Sequence, residues 1–303
     1  MLNRTIGITG CSGMLGRHLL DFFLKRKYEL VGTSRTKVNI KNKRFKWKKI
    51  DLSLIKNESD YNKLFKNVFA IIHAGSAVPS NNIKITKNDY FRTNIRASKK
   101  LINFAKKNNI HLIFISGAII YGNILKKVKE NYKINNSKVL NYENSKRVID
   151  LYLLRMINKY SCKFTILRPS SIYGKGLKDD KIIVRLINKV KQGKKIILKS
   201  PFEKINFIHA NDVANAIFLC LIKKKYGVFN IGSKKLYSIK DIAKICNNFA
   251  TKKVIIKVNK SRNKLMLKTR FNISINHAIK NLGWKPKISM SRGIRLIFKN
   301  KYC

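Results

Sequence analysis

The stretch Thr5-Ile6-Gly7-Ile8-Thr9-Gly10-Cys11-Ser12-Gly13-Met14-Leu15-Gly16-Arg17-His18-Leu19-Leu20 decides the fold. Residues 5–9 are mostly β-branched and read as a short buried strand. From Met14 to Leu24 the apolar residues Met14, Leu15, Leu19, Leu20, Phe22, Phe23 and Leu24 cover one broad helical face, broken by Arg17, His18 and Asp21. Gly10, Gly13 and Gly16 fall between strand and helix. There, glycine permits a tight turn and close backbone approach, and the helix start offers free N–H groups to a pyrophosphate. Gly10, Ser12, Gly13, Met14 and Gly16 are therefore candidate cofactor-binding positions. The bland alternative is a strand-to-helix turn whose glycines serve packing only.

The pattern continues outward from this turn. Tyr28–Arg35 reads as a second strand, ending where a dinucleotide-binding fold meets the adenosine ribose. An acid at that end suits NAD, whereas Thr33-Ser34-Arg35 offers a cation that suits a 2′-phosphate, which tilts the cofactor expectation from NAD toward NADP. Phe45–Leu52 reads as a third strand ending on Asp51, a candidate adenine contact. Val68–Gly75 and Leu112–Gly117 are continuous apolar runs of the kind buried parallel strands show. Helices are expected over Asp89–Asn108 and Leu140–Tyr160. Alternation of this kind predicts an α/β fold, a doubly wound parallel sheet of Rossmann type with a smaller C-terminal substrate-binding part. The expected division is residues 1–170 for dinucleotide binding and 171–303 for substrate, with elements around 205–235 free to return to the sheet.

Composition narrows the function classes. The 67 Lys and Arg against 14 Asp and Glu give a formal charge of +53. These cations are spread along the whole chain beside abundant Asn and Ile, without a basic arm, so they read as compositional drift rather than a specific nucleic-acid site. Five scattered cysteines with no Cys-x-x-Cys pair argue against a disulfide framework or a zinc site, and no metal is expected. No apolar run approaches the roughly 20 residues of a membrane span, so a cytoplasmic protein with no membrane partner is expected.

The chemistry centres on Tyr142-Glu143-Asn144-Ser145-Lys146, a tyrosine and a lysine one turn apart on a helix. A phenol titrating near pH 10 works as acid or base at neutral pH only when a neighbouring cation favours its phenolate, and a lysine at i+4 can do this. Of the 12 tyrosines, only Tyr142 has a lysine four residues on.

With these residues in place the chain resembles the extended short-chain dehydrogenase/reductases, the NAD(P)-dependent epimerases and dehydratases of nucleotide sugars. Gly10, Gly13 and Gly16 match the family's glycine motif, Asp51-Leu52 its adenine contact, His73-Ala74-Gly75 its cofactor-lining turn, and Asn94 its structural asparagine. Tyr142 and Lys146 match the catalytic pair, with Lys146 also implied to hold the nicotinamide ribose. Leu167–Gly174, Phe207–Ala214, Asn230-Ile231-Gly232 and Leu282–Pro286 follow further family signatures in order. The resemblance implies substrate contacts at Arg168, Ser170 and Arg262, and a homodimer paired through the helices of Asn94 and Tyr142.

Departures from the family pattern bear on the reaction. Its catalytic Ser/Thr position falls on Gly117, with Ser116 immediately before, so Ser116 is the candidate replacement hydroxyl. Ala118 and Ile119 stand where dehydratases carry acids, and Ile205 where many epimerases carry a diphosphate-binding arginine. The first expectation is an epimerase of a nucleotide-diphosphate sugar working by hydride transfer. The alternatives are an NADPH-dependent ketoreductase of a 4-keto nucleotide sugar, and a non-catalytic dinucleotide- or RNA-binding protein on the same fold.

Overall fold

A computed structural model describes residues 5–81, 84–122, 124–134, 139–258 and 269–299. Strand β1 (Thr5–Thr9) passes through the glycine turn into α1 (Met14–Leu24), followed by β2 (Glu29–Ser34), β3 (Phe45–Lys49), α2 (Asn62–Phe65) and β4 (Ala70–His73). Next, α3 (Lys87–Asp89) runs through a π-helical stretch, Tyr90–Arg96, into α4 (Ala97–Lys107). Then come β5 (His111–Ile115), α5 (Tyr142–Tyr160) and β6 (Phe164–Pro169). The later elements are β7 (Ser171–Tyr173), α6 (Ile182–Lys191), β8 (Ile196–Leu198), β9 (Lys204–His209), α7 (Ala210–Ile222), β10 (Gly227–Ile231) and β11 (Leu236–Ser238). The chain continues with α8 (Ile239–Asn247), β12 (Ile256–Val258), β13 (Thr269–Arg270), α9 (Asn276–Leu282) and α10 (Met290–Phe298).

Seven strands form one parallel sheet in the order β10-β6-β5-β4-β1-β2-β3. The chain winds outward in one direction from β1 and in the other from β4, so the switch in strand order lies between them. In such sheets ligands bind in the crevice at the carboxyl ends of the strands beside that switch. Leu19 and Phe23 of α1, Val213 and Ile217 of α7 and Leu282 of α9 cover one face. Leu101 of α4, Ile149 and Leu153 of α5, and Phe65 of α2 cover the other. Full burial of such side chains stabilises by about 1.5–3 kcal/mol each. A third apolar cluster joins α6, α8, α10 and β9.

The boundary between sheet and substrate part is not a single point in sequence. β10 completes the sheet beside β6 although it lies well past residue 170, and α7 packs against α1. The third strand is also shorter than the expected Phe45–Leu52. It stops at Lys49 because the Asp51 carboxylate accepts the Ser53 N–H at 2.8 Å and opens a tight helical turn, Leu52–Leu54.

The charge imbalance is resolved locally. All of the 14 carboxylates except Asp179 hold a backbone N–H, a side-chain amide or a cation, as in Asp60 with the N–H groups of Lys56 and Asn57, or Asp212 with those of Lys287 and Ile288. Some of these acids hold turns or a buried cation, as Asp51 and Asp150 do, and others pair with exposed cations, as Asp21 does with Lys25. Apart from the buried Lys146, most lysines without a carboxylate partner reach water, where their mutual repulsion is screened by salt.

Candidate active site

The carboxyl ends of β1, β4 and β5 meet at the switch point. Gly10, at φ +69°, turns the chain after β1, and a Cβ there would lie 2.6 Å from Gly75 Cα. A Cβ on Gly16 would meet Cys11 Cα at 2.7 Å and collide with the Gly10 carbonyl. Gly13 meets only that carbonyl, at 3.2 Å, so its outer side is open. It caps α1 without a side-chain hydrogen bond and without an acid in the first turn, which leaves the helix-start N–H groups for an anion. Ser12 and Met14 flank it, both half-buried.

The β4 end is fastened to this loop. The Thr9 hydroxyl bonds His73 Nδ1 at 2.6 Å and accepts the Gly75 N–H at 3.0 Å, and His73 Nε2 bonds Ser98 at 2.8 Å. Complete burial and the nearby Lys146 charge push the His73 imidazole down to about 3, so it is neutral. Leu52 is buried with its methyl group against the Gly75 position. The second Asp51 oxygen has no partner among the described residues. Arg35 is exposed just past β2, near enough to Asp89 to add to the Thr86 hydrogen bonds that hold that carboxyl below its ordinary value.

α5 begins at Tyr142 because the Asn141 side chain accepts the Asn144 N–H, and it crosses these strand ends. Lys146, buried, donates its ammonium to the Ile115 carbonyl at the end of β5 at 3.0 Å. Desolvation pushes it down to about 8, against a raising effect from Asp150. The half-buried Tyr142 hydroxyl has no hydrogen bond among the described residues. Burial, then the neighbouring Tyr90, pushes it up to about 12. The two phenol rings lie 6.4 Å apart. Asn94 holds the helix in place: its amide donates to Ser145 and to the Ala77 carbonyl, and its oxygen accepts from Ser76 and the Ala77 N–H.

Two expected site residues are turned inward. Ser116 donates its hydroxyl to Asp150 at 2.6 Å, while its N–H bonds the Leu167 carbonyl. Arg168 is fully buried: it forms a bidentate pair with Asp150 at 2.6 and 3.0 Å and donates to the Tyr121 hydroxyl and the Glu130 carbonyl. Burial works against its charge, but Asp150 more than restores it and holds the guanidinium above its ordinary value. This pair is part of the scaffold under the site. Asp150, at the centre, was missed in sequence; the available signal was an acid one turn beyond Lys146 on the buried face of α5. Arg262 lies outside the described residues.

The sequence profile of the NAD dependent epimerase/dehydratase family matches residues 6–232. The chain belongs to this family. Among relatives of this epimerase/dehydratase chain, a Methanocaldococcus jannaschii protein provisionally named UDP-glucose 4-epimerase is 26% identical over 302 residues, 96% of each chain. CDP-abequose synthase of Salmonella muenchen is 24% identical over 310 residues, 99% of each. The fold is that of UDP-glucuronic acid 4-epimerase from Bacillus cereus, solved in complex with NAD, at a TM-score of 0.80 and 22% identity over 98% of both chains. Among the described residues no helix is long and apolar enough to cross a membrane, and no group of His, Cys, Asp or Glu is placed to hold a metal.

Proposed function

We propose that this epimerase/dehydratase-family protein is an oxidoreductase of a nucleotide-diphosphate sugar, with epimerisation as its reaction. The observation that carries this reading is the Tyr142–Lys146 pair, one turn apart at the start of α5, with Lys146 seated on the end of β5, at the same edge of the sheet as the glycine turn. Gly10, Ser12, Gly13, Met14 and Gly16 would receive the pyrophosphate, Asp51 and Leu52 the adenine, His73-Ala74-Gly75 the inner wall, and Lys146 the nicotinamide ribose. The bound nicotinamide supplies the hydride acceptor and donor. Tyr142 takes the proton from the sugar hydroxyl as its carbon is oxidised and returns it on reduction. An oxidised cofactor, when bound, would add its positive charge to that of Lys146 and favour the Tyr142 phenolate against the raising effect of burial. Arg168 and Asp150 support the site from below.

Arg35 favours a second reading, an NADPH-dependent ketoreductase, since an exposed guanidinium at the end of β2 suits a 2′-phosphate. In either reading we place the protein in a reducing cytoplasm as a dimer paired through α4 and α5, with its charge serving no specific nucleic acid.

The deciding experiment is to purify the protein at high salt, release and assay any bound nucleotide, and titrate the apoprotein with NADH and NADPH. Retained NAD supports epimerisation, and NADPH bound much more tightly than NADH supports the reductase. Binding of neither overturns both. Tyr142→Phe is expected to lower kcat by about 10²–10⁴ with cofactor affinity and Tm unchanged, because the hydroxyl it removes holds no other described group.

A further inference from the structure

The end of β5 lacks a hydroxyl where a sugar oxygen would react. Gly117 has none, and the Ser116 hydroxyl is committed to Asp150. Neighbouring hydroxyls are spent as well: Ser98 on His73, Ser76 on Asn94, Tyr121 on Asn230, and Ser145 between Asn94 and the Tyr142 carbonyl. Tyr90 differs. It is 9% exposed, its ring packs beside that of Tyr142, and its hydroxyl has no hydrogen bond among the described residues.

The place of Tyr90 is fixed by the helical stretch it opens. Thr86 and Asp89 cap each other, and Tyr90 follows as the first residue of the π-helical turn. Such turns are rare and often serve a site, because the extra residue re-aims side chains. Asn94, four residues on and so near the same face, donates to Ser145 of α5 and is also tied to Ser76 and Ala77 in the loop after β4. Ser145 in turn donates to the Tyr142 carbonyl. A hydrogen-bonded seam three residues along α5 from Tyr142 thus holds the two phenol rings together.

Charge divides the two phenols. Lys146 stands one turn beyond Tyr142, whereas Asp89 adjoins Tyr90. A cation favours a phenolate, and an anion favours the protonated phenol. Burial and then Asp89 hold Tyr90 above its ordinary value, so it keeps its proton and serves as a donor. An oxygen bonded by two hydroxyls stands about 2.7 Å from each, which sets those hydroxyls about 4–5 Å apart. The 6.4 Å between the ring centres accommodates such a bridge. A mostly buried hydroxyl without a partner costs free energy, and a ligand oxygen between the two rings removes that cost.

We propose that the Tyr90 phenol, beside Tyr142, donates a hydrogen bond to the reacting sugar oxygen and takes the role vacated at Gly117. This rests on the oxidoreductase reading above. The Tyr90 hydroxyl stabilises the oxygen as that oxygen's proton passes to Tyr142. Tyr90 keeps its own proton throughout, and no covalent bond to it forms or breaks.

The test compares wild type, Tyr90→Phe, Gly117→Ser and the double variant. Probes are UDP-glucose, UDP-glucuronic acid and CDP-glucose, and the readouts are NADH and NADPH affinity, kcat, KM and Tm. Tyr90→Phe keeps the ring beside Tyr142 and removes only the hydroxyl. It is expected to lose about 100-fold in kcat, with cofactor affinity and KM within threefold and Tm unchanged or raised, since it removes an unsatisfied group. A Cβ on Gly117 meets nothing closer than 3.6 Å, so a serine fits there. Gly117→Ser should restore at least tenfold in the Tyr90→Phe background, which a purely structural role for Tyr90 would not allow. Unchanged kcat in Tyr90→Phe, a loss that comes with lowered Tm or weakened cofactor binding, or absence of rescue would overturn the assignment. Absence of cofactor binding in wild type, or of turnover on all three probes, overturns the underlying oxidoreductase reading and the assignment with it.

Discussion

In the first turn of α1, Gly16 leaves no room for even a methyl group, whereas after β5, two strands away from β1 in the same sheet, Gly117 leaves room for a side chain. Gly16 is wedged against the Gly10 carbonyl and Cys11, and Gly10 itself needs a positive φ and close contact with Gly75. Gly117 has extended backbone, and the atoms nearest to a Cβ built there, in Ile119 and Pro169, stand at ordinary contact distances of 3.6 to 3.9 Å. The first glycines are therefore demanded by packing. The last is not, so its lack of a hydroxyl is a property of the site and not of the fold.

Mutations can break this comparison or sharpen it. The largest expected effect lies directly under Gly117: Asp150→Asn leaves the buried Arg168 guanidinium without its counter-charge, at about 3–5 kcal/mol, read as a lowered urea midpoint at pH 7. Gly16→Ala should cost about 1–3 kcal/mol or more by overpacking and abolish nicotinamide binding. Acid probes the seam between the two regions, where His73 joins Thr9 to Ser98. The unfolded imidazole takes a proton near pH 6.5, while the native one resists until about 3, so this stability is lost as pH falls from 6.5. The loss is about 1.4 kcal/mol per pH unit, or about 2 kcal/mol at pH 5, and His73→Asn should show a shallower fall in the same denaturation series. Gly117→Ala should change stability least, by under about 1 kcal/mol and in the stabilising direction, because it restricts the unfolded chain at a position the native backbone accepts. A loss comparable to that of Gly16→Ala would remove the distinction between the two glycines.

Much of the sheet was legible because buried parallel strands are written as continuous apolar runs, as in Ala70–His73 and His111–Ile115. The glycine turn was legible because strand, glycines and amphipathic helix are adjacent in sequence. Partnerships across long separations were not legible. Asp150 receives Ser116 from 34 residues before and Arg168 from 18 residues after, and periodicity does not record which acid meets which cation. The inward turn of Ser116 was hidden for the same reason. β10 was hard to assign to the sheet because its place beside β6 depends on the long excursion through β7 to α7.

The space beside Gly117 also bears on how this site changes over generations. Glycine codons that end in a pyrimidine become serine codons by one base substitution, and neither residue strains the backbone at 117. The hydroxyl can be lost and regained there without a misfolded intermediate, while the sheet, the glycine turn and the Tyr142–Lys146 pair stay intact. Gly10 and Gly16 have no such route. Selection on the reaction can act at one position of this crevice while selection on folding holds the others still.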